Sequence, residues 1–261
     1  MAIKFGTAGM GPVKDVEETF EKLKEMGIRA AEIPFTYGIY IKKEEDMKNV
    51  RFASEKFGIQ LSIHAPYWIN LNSKDSVKVK QSKQRILKCC DVGDKVGAYR
   101  VVFHAGFYAG MDKEETYENI KKEIIDMQKI IKKNGWKIKL APETMGKINV
   151  FGSVEQIAKL VDETNCEFCI DFAHILARDK EVDFEKIKKL FGRHKKWHCH
   201  FSGIVYGEKG EKNHRLTEKG EWSALLGELK RFGDGLDIVI INESPDPVGD
   251  AVLGVGVYGE R

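Results

Sequence analysis

Six short stretches of this chain run apolar and then end on a side chain able to hold a metal ion. They are Ser62-Ile63-His64-Ala65-Pro66-Tyr67, Val102-Phe103-His104-Ala105-Gly106, Leu140-Ala141-Pro142-Glu143-Thr144, Cys169-Ile170-Asp171-Phe172-Ala173-His174, His198-Cys199-His200-Phe201-Ser202-Gly203 and Val239-Ile240-Ile241-Asn242-Glu243-Ser244-Pro245. Any one of these histidines, taken alone, reads best as a hydrogen-bonded core residue. Together they are four imidazoles (His64, His104, His174, His200) and three carboxylates (Glu143, Asp171, Glu243). Burying an isolated carboxylate costs roughly several kcal/mol, and neutral imidazoles compensate it poorly, whereas divalent cations would. Nitrogen and oxygen donors without thiolate suit zinc, manganese, iron or cobalt, and the histidine share argues against magnesium and calcium. Seven donors exceed what one tetrahedral ion takes. A cluster of two or more ions is therefore expected, with Glu143 as a bridge. Two ions side by side are a standard device for in-line displacement at phosphorus.

Those donors need a scaffold that gathers the ends of several strands. Strands are expected at 3–6, 30–35, 60–66, 100–105, 137–142, 166–172, 196–201 and 237–242, each a continuous apolar run as in a sheet buried on both faces. Helices are expected at 13–26, 43–57, 75–96, 113–133, 183–191 and 220–232, with a further one begun by Ser153 and carrying Ile157, Leu160 and Val161. Eight strand–helix repeats in 261 residues match one (β/α)8 barrel domain over 1–261. An open doubly wound sheet is the rival, but Gly6-Thr7-Ala8-Gly9-Met10-Gly11 lacks the dinucleotide-binding spacing. After strand eight, residues 246–261 hold four glycines and few helix formers. The eighth helix is expected to be short, irregular or partly disordered. In such a barrel the active site lies at the C-terminal ends of the strands, where His64, His104, Glu143, Asp171, His200 and Glu243 fall, with His174 in the loop after strand six. His198 points to the same side as His200 but one layer deeper, and is expected to support it or to fill the barrel rather than to ligate.

Composition narrows the class. A hydrophobic content of 42% and a charged content of 32% describe an ordinary globular protein. No apolar run reaches the roughly 18 residues of a membrane span, and the N-terminus reads as a strand rather than a signal peptide. Cytoplasmic residence is the expectation. Five cysteines, mostly inside apolar runs, suggest reduced thiols, and the lone Cys166/Cys169 CxxC is a weak zinc signal. A net charge of +3 neither demands nor excludes a polyanionic partner.

At His64-Ala65-Pro66-Tyr67-Trp68-Ile69-Asn70-Leu71, Phe103-His104-Ala105-Gly106, Glu143-Thr144 and Asp171-Phe172-Ala173-His174, the chain resembles the endonuclease IV family of apurinic/apyrimidinic endonucleases. His200 with a small polar pair after it, and Glu243 after the last apolar run, extend the resemblance from about Ile3 to Glu243. The family is a trinuclear zinc (β/α)8 barrel. The resemblance implies zinc, two to three ions, held by His64, His104, Glu143, Asp171, His174, His200 and Glu243. Where the family has an Asp-x-His pair in the loop after strand seven, this chain reads Glu211-Lys212-Asn213-His214. Ungapped, Asn213 takes the histidine's place; shifted by one, His214 does. Glu211 and His214 are preferred because imidazole is the better zinc ligand.

The resemblance further implies a monomer acting on double-stranded DNA with abasic sites and cutting the backbone on the 5′ side, with Glu143 and Glu243 beside the attacking group. Tyr67 and Trp68 would intrude at the lesion. Lys147, Lys209 and Lys212 are candidate phosphate contacts. One alternative is a single-metal sugar isomerase or epimerase, for which Glu143, Asp171, His200 and Glu243 would suffice. Another is a protein that recognises damaged DNA without cutting it.

Overall fold

The computed structural model describes residues 2–233 and 235–260. Eight strands run parallel in one curled sheet: β1 (Ala2–Ala8), β2 (Ala30–Pro34), β3 (Gln60–His64), β4 (Arg100–Phe103), β5 (Lys139–Pro142), β6 (Ile170–Asp171), β7 (Lys196–Phe201) and, last in the chain, β10 (Asp237–Asn242). Their spatial order is β5-β4-β3-β2-β1-β10-β7-β6. The two ends of that series meet. Glu143 pairs with Cys169, Cys169 N–H donates to Pro142 O at 3.1 Å and Thr144 N–H donates to Cys169 O at 3.1 Å, so the sheet closes into a (β/α)8 barrel.

Helices α1 (Val16–Glu25), α2 (Glu44–Phe57), α3 (Ser76–Val96), α4 (Lys113–Lys133), α5 (Val154–Thr164), α6 (Phe172–Asp179) and α7 (Phe184–Phe191) follow the strands in turn. Their boundaries obey local chemistry. Asp75, Asp112, Ser153, Asp171 and Asp183 each accept a backbone N–H at a helix start, which satisfies donors the helix cannot. Gly58 and Gly97 end α2 and α3 in the left-handed conformation that glycine adopts without steric cost. Phe20, Val50, Ile86, Ile124, Ile157 and Phe191 fill the layer between helices and strands. The barrel interior is smaller and more polar. Ala30, Val239 and Ile241 form one apolar patch and Val102, Ala141 and Cys169 another, while Glu32, Ser62, His198 and His200 are buried.

Besides helix α6, which begins where a loop was expected, two features depart from expectation. Between β7 and α8 (Lys219–Phe232) the chain builds an antiparallel hairpin of β8 (Gly203–Gly207) and β9 (Gly210–Arg215). The last segment, expected to be short or irregular, is a regular thirteen-residue helix, α9 (Pro247–Gly259); Arg261 lies outside the described residues. Asp246 caps it through Gly249 N–H, and Pro247 opens it. Its glycines serve packing. A Cβ on Gly254 would sit 2.9 Å from the Trp222 ring and 3.0 Å from Phe5, so the bare backbone lets α9 approach β1 and α8.

Candidate metal centre

Glu143, just past the end of β5, is fully buried. Its Oε2 lies 3.3 Å from His64 Nε2 and 3.2 Å from His104 Nε2. Its Oε1 lies 3.2 Å from His174 Nδ1 and 3.3 Å from His200 Nδ1. Glu243, past the end of β10, brings Oε2 to 3.4 Å from His200 Nδ1. Two groups of donors result, His64–His104–Glu143 and Glu143–Asp171–His200–Glu243, each compact enough to hold one ion, with Glu143 common to both. Backbone carbonyls, which only accept, fix two of the imidazoles. His64 Nδ1–H donates to Ala65 O at 2.8 Å and His174 Nδ1–H to Thr144 O at 3.0 Å, leaving the lone pair of each Nε2 for a metal.

A third group, His174–Glu211–His214, has a different origin. His174 stands on α6 rather than in a loop, because Asp171 caps that helix by accepting His174 N–H at 2.7 Å. Glu211 and His214 lie on β9. Pairing runs Gly203–Arg215, Ile204–His214 and Val205–Asn213, then passes over Lys212 and resumes at Tyr206–Glu211. In an unbroken strand Glu211 and Asn213 would share a face. The extra residue Lys212 makes a β-bulge, which turns Glu211 onto the face of His214 and leaves Asn213 exposed on the other. Glu211 Oε2 is 3.5 Å from His174 Nε2, and Ser202 Oγ is 2.6 Å from His214 Nδ1.

The hairpin is held against the loop after β5. Glu211 N–H donates to Gly146 O at 3.0 Å. A Cβ on Gly210 would fall 2.0 Å from Gly146 O, and one on Gly146 would fall 2.8 Å from Glu211 Cβ and 3.0 Å from the His174 ring. Arg178 on α6 ties the same loop by donating from Nη1 to Lys147 O at 2.7 Å and Val150 O at 3.0 Å.

The electrostatics show what these side chains do to one another. Burial by itself would push Glu143 up, but the imidazoles of His200 and His104 outweigh it and hold the carboxyl well below its usual range. Glu243, raised by burial and lowered by His200, comes to about 2. Burial opposes charge on His64 too, yet the Glu143 carboxylate lifts it to about 9. Asp171 is the exception; burial pushes it up to about 6 against the pull of His174. Its Oδ2 is buried and finds no hydrogen-bond partner among the described residues. That oxygen lies 3.2 Å from His174 Nδ1 without a hydrogen bond to it, and its grouping with Glu143, His200 and Glu243 fits a cation there. The donor set, imidazole and carboxylate without thiolate, suits zinc, manganese, iron or cobalt.

A cavity of about 320 Å³ opens onto this site, lined among others by Tyr67, Phe107, Lys147 and Glu211. Tyr67 is half exposed, its ring stacked 5.7 Å from that of His104. Trp68 turns away and packs 6.0 Å from Tyr37 over a neighbouring groove. Lys209 and Lys212 are exposed on the hairpin. The CxxC cysteines do not converge, since Cys166 packs in the outer core and Cys169 in the barrel interior. One buried acid escaped the sequence reading. Glu32 on β2 lies inside the barrel below the donors, with Oε2 3.0 Å from His198 Nε2 and Oε1 2.9 Å from His200 Nε2. Its sequence signal was a charge inside the apolar run Ala30-Ala31-Glu32-Ile33, with no loop after it to suggest a strand end.

Residues 20–253 match the family model described as xylose isomerase-like TIM barrel. The chain belongs to that family. An uncharacterized protein of Methanocaldococcus jannaschii is 35% identical over 271 aligned positions, 98% of this chain and 97% of the relative. A probable endonuclease 4 of Mycobacterium marinum is 27% identical over 182, covering 67% of this chain and 68% of the relative. Among solved structures, endonuclease IV from Thermus thermophilus superposes with a TM-score of 0.73 at 18% identity, each chain covered in full. A D-tagatose 3-epimerase-like protein superposes at 0.71 with 20% identity, over 100% of this chain and 96% of the other. At such identities the structural likeness speaks for the fold alone. Within the described residues no helix is long and apolar enough to cross a membrane.

Proposed function

We propose that this protein is a metal-dependent phosphodiesterase that cuts DNA 5′ to abasic sites. Its metal ligands are His64, His104, Glu143, Asp171, His174, His200, Glu211, His214 and Glu243. The observation that carries the reading is Glu143, one buried carboxylate with an imidazole pair against each oxygen. A carboxylate common to two donor groups would be able to serve two cations, and the endonuclease name of the mycobacterial relative supports the same reading. Ions bound there supply Lewis acidity toward a phosphoryl group and lower the pKa of water. The chain's own residues do the rest. Glu243, the more exposed of the two catalytic carboxylates, orients the attacking water beside Glu143. Lys147 at the cavity edge neutralises a backbone phosphate. Tyr67, stacked on His104, fills the space of a displaced base while the abasic sugar enters the cavity; Trp68, turned toward Tyr37, lies outside that cavity.

A single-metal sugar epimerase is the second reading. Glu143, Asp171, His200 and Glu243 form a four-donor group by themselves, and the barrel is one that solved epimerases share. That chemistry has no use for His64, His104 and His174. Purified protein should be incubated with a duplex carrying one abasic site, with and without a strong chelator, beside a panel of ketoses. Nicking 5′ to the site that the chelator stops and added zinc restores is the expected result. Ketose epimerisation without nicking would overturn the proposal, and retention of the duplex without cutting would leave a damage-binding protein.

A further inference from the structure

Beneath the donors lies a buried hydrogen-bonded chain that the reaction does not touch. Ser62 Oγ–H donates to Glu32 Oε2 at 2.7 Å. His198 Nε2 lies 3.0 Å from the same oxygen, and Tyr99 Oη lies 2.5 Å from His198 Nδ1. The proton positions follow from chemistry. A carboxylate can only accept, so His198 carries its proton on Nε2, and its bare Nδ1 accepts from the Tyr99 hydroxyl. Glu32 is thereby held by two donors on Oε2, and all four side chains are buried or nearly so.

Glu32 Oε1 remains. It lies 2.9 Å from His200 Nε2 but off the axis of an aligned hydrogen bond. Neither atom finds a hydrogen-bond partner among the described residues. These two buried polar atoms lie in van der Waals reach, neither is hydrogen-bonded elsewhere, and a small rotation of the imidazole would satisfy both; the Cys169 thiol, a weaker hydrogen-bonding group, is the other neighbour of the His200 ring. The opposite ring atom, His200 Nδ1, faces Glu143 Oε1 and Glu243 Oε2 on the rim. His64 and His174 have their tautomers set by backbone carbonyls. Among the described residues no carbonyl is hydrogen-bonded to His200 Nε2, and Glu32 stands in that place.

We infer that Glu32 is the positioning residue of this centre. It keeps the proton of His200 on Nε2 so that Nδ1 presents its lone pair to the ion shared with Glu143, Asp171 and Glu243. His198, Tyr99 and Ser62 hold Glu32 in turn. Outer carboxylates of this kind raise the basicity of a ligating imidazole and set its orientation. The inference rests on reading His200 as a metal ligand, but its test does not depend on the substrate.

Two measurements test it. The first is the ring-nitrogen NMR spectrum of the zinc-loaded protein, with His200→Gln for assignment. His200 should appear with its proton on Nε2, and a proton on Nδ1 overturns the inference. The second is zinc affinity against a competing chelator. Glu32→Gln should lose affinity about 10- to 100-fold at one ion, as removal of such outer partners does elsewhere, and the other ions should stay. Tyr99→Phe, which leaves Glu32 in place, should lose less. A folded Glu32→Gln protein with unchanged zinc affinity overturns the inference. Should that variant not fold, the wild-type spectrum and Tyr99→Phe still decide. Failure to nick DNA, with the tautomer and affinity results as expected, would sink the nuclease reading and leave this one standing.

Discussion

His64, His104, Glu143, Asp171, His200 and Glu243 stand at the ends of strands in a closed ring, whereas Glu211 and His214 ride on a hairpin outside it. A strand-end donor is held by parallel neighbours on both sides; Asp171, for instance, is in register with His200. Their positions relative to one another follow from the barrel itself. The hairpin donors depend on three local devices instead: the bulge at Lys212, the hydrogen bond between His214 Nδ1 and Ser202 Oγ, and the close approach of Gly146 and Gly210. The first mounting is shared by many chemistries on this fold. The second is a local addition, and it brings a third donor group, His174–Glu211–His214, beside the two at the rim.

This contrast can be broken from either side. Substituting the shared carboxylate should have the largest effect. Glu143→Gln keeps the shape but loses a charge common to two donor groups, so nicking should vanish while circular dichroism stays that of the wild type; full activity would remove Glu143 from the reaction. Asp171 separates metal binding from folding. Asp171→Asn retains an N-cap for α6, so it should lose an ion with little change in stability. Asp171→Ala loses the cap as well, and its urea midpoint should report an additional loss of about 0.5–2 kcal/mol.

Hairpin changes should be milder and confined to one ion. His214→Ala should lower the metal count by one, and in metal-free protein its stability should stay within about 0.5 kcal/mol of the wild type, as for a partly exposed position. Gly146→Val should mimic it without replacing any donor, because the new side chain would press on Glu211 and His174. If Gly146→Val kept all its ions, the hairpin would be held by something other than the glycine contact.

The two regions also differed in how far the sequence disclosed them. Strands ending in His64, His104, Glu143, Asp171, His200 and Glu243 were legible because long apolar runs stop at a polar residue, a signal that survives without tertiary detail. The hairpin was not, since β9 reads Gly-Glu-Lys-Asn-His-Arg, with no alternation to mark a strand. The choice between Asn213 and His214 rested on ligand chemistry alone, and the geometry that separates them is a bulge, which depends on pairing with β8. Helix α9 was missed because its glycines count against a helix locally, while their reason, contact with Phe5 and Trp222, is tertiary. Glu32 was missed because a buried acid in mid-strand carries no mark of its partner, which lies 166 residues away at His198.

The barrel rim and its hairpin are proposed to hold several ions side by side. Elemental analysis of the purified protein, with His214→Ala beside it, tests this most directly. Three ions per chain in the wild type and two in the variant are the predicted result. A single ion in both would contradict the account.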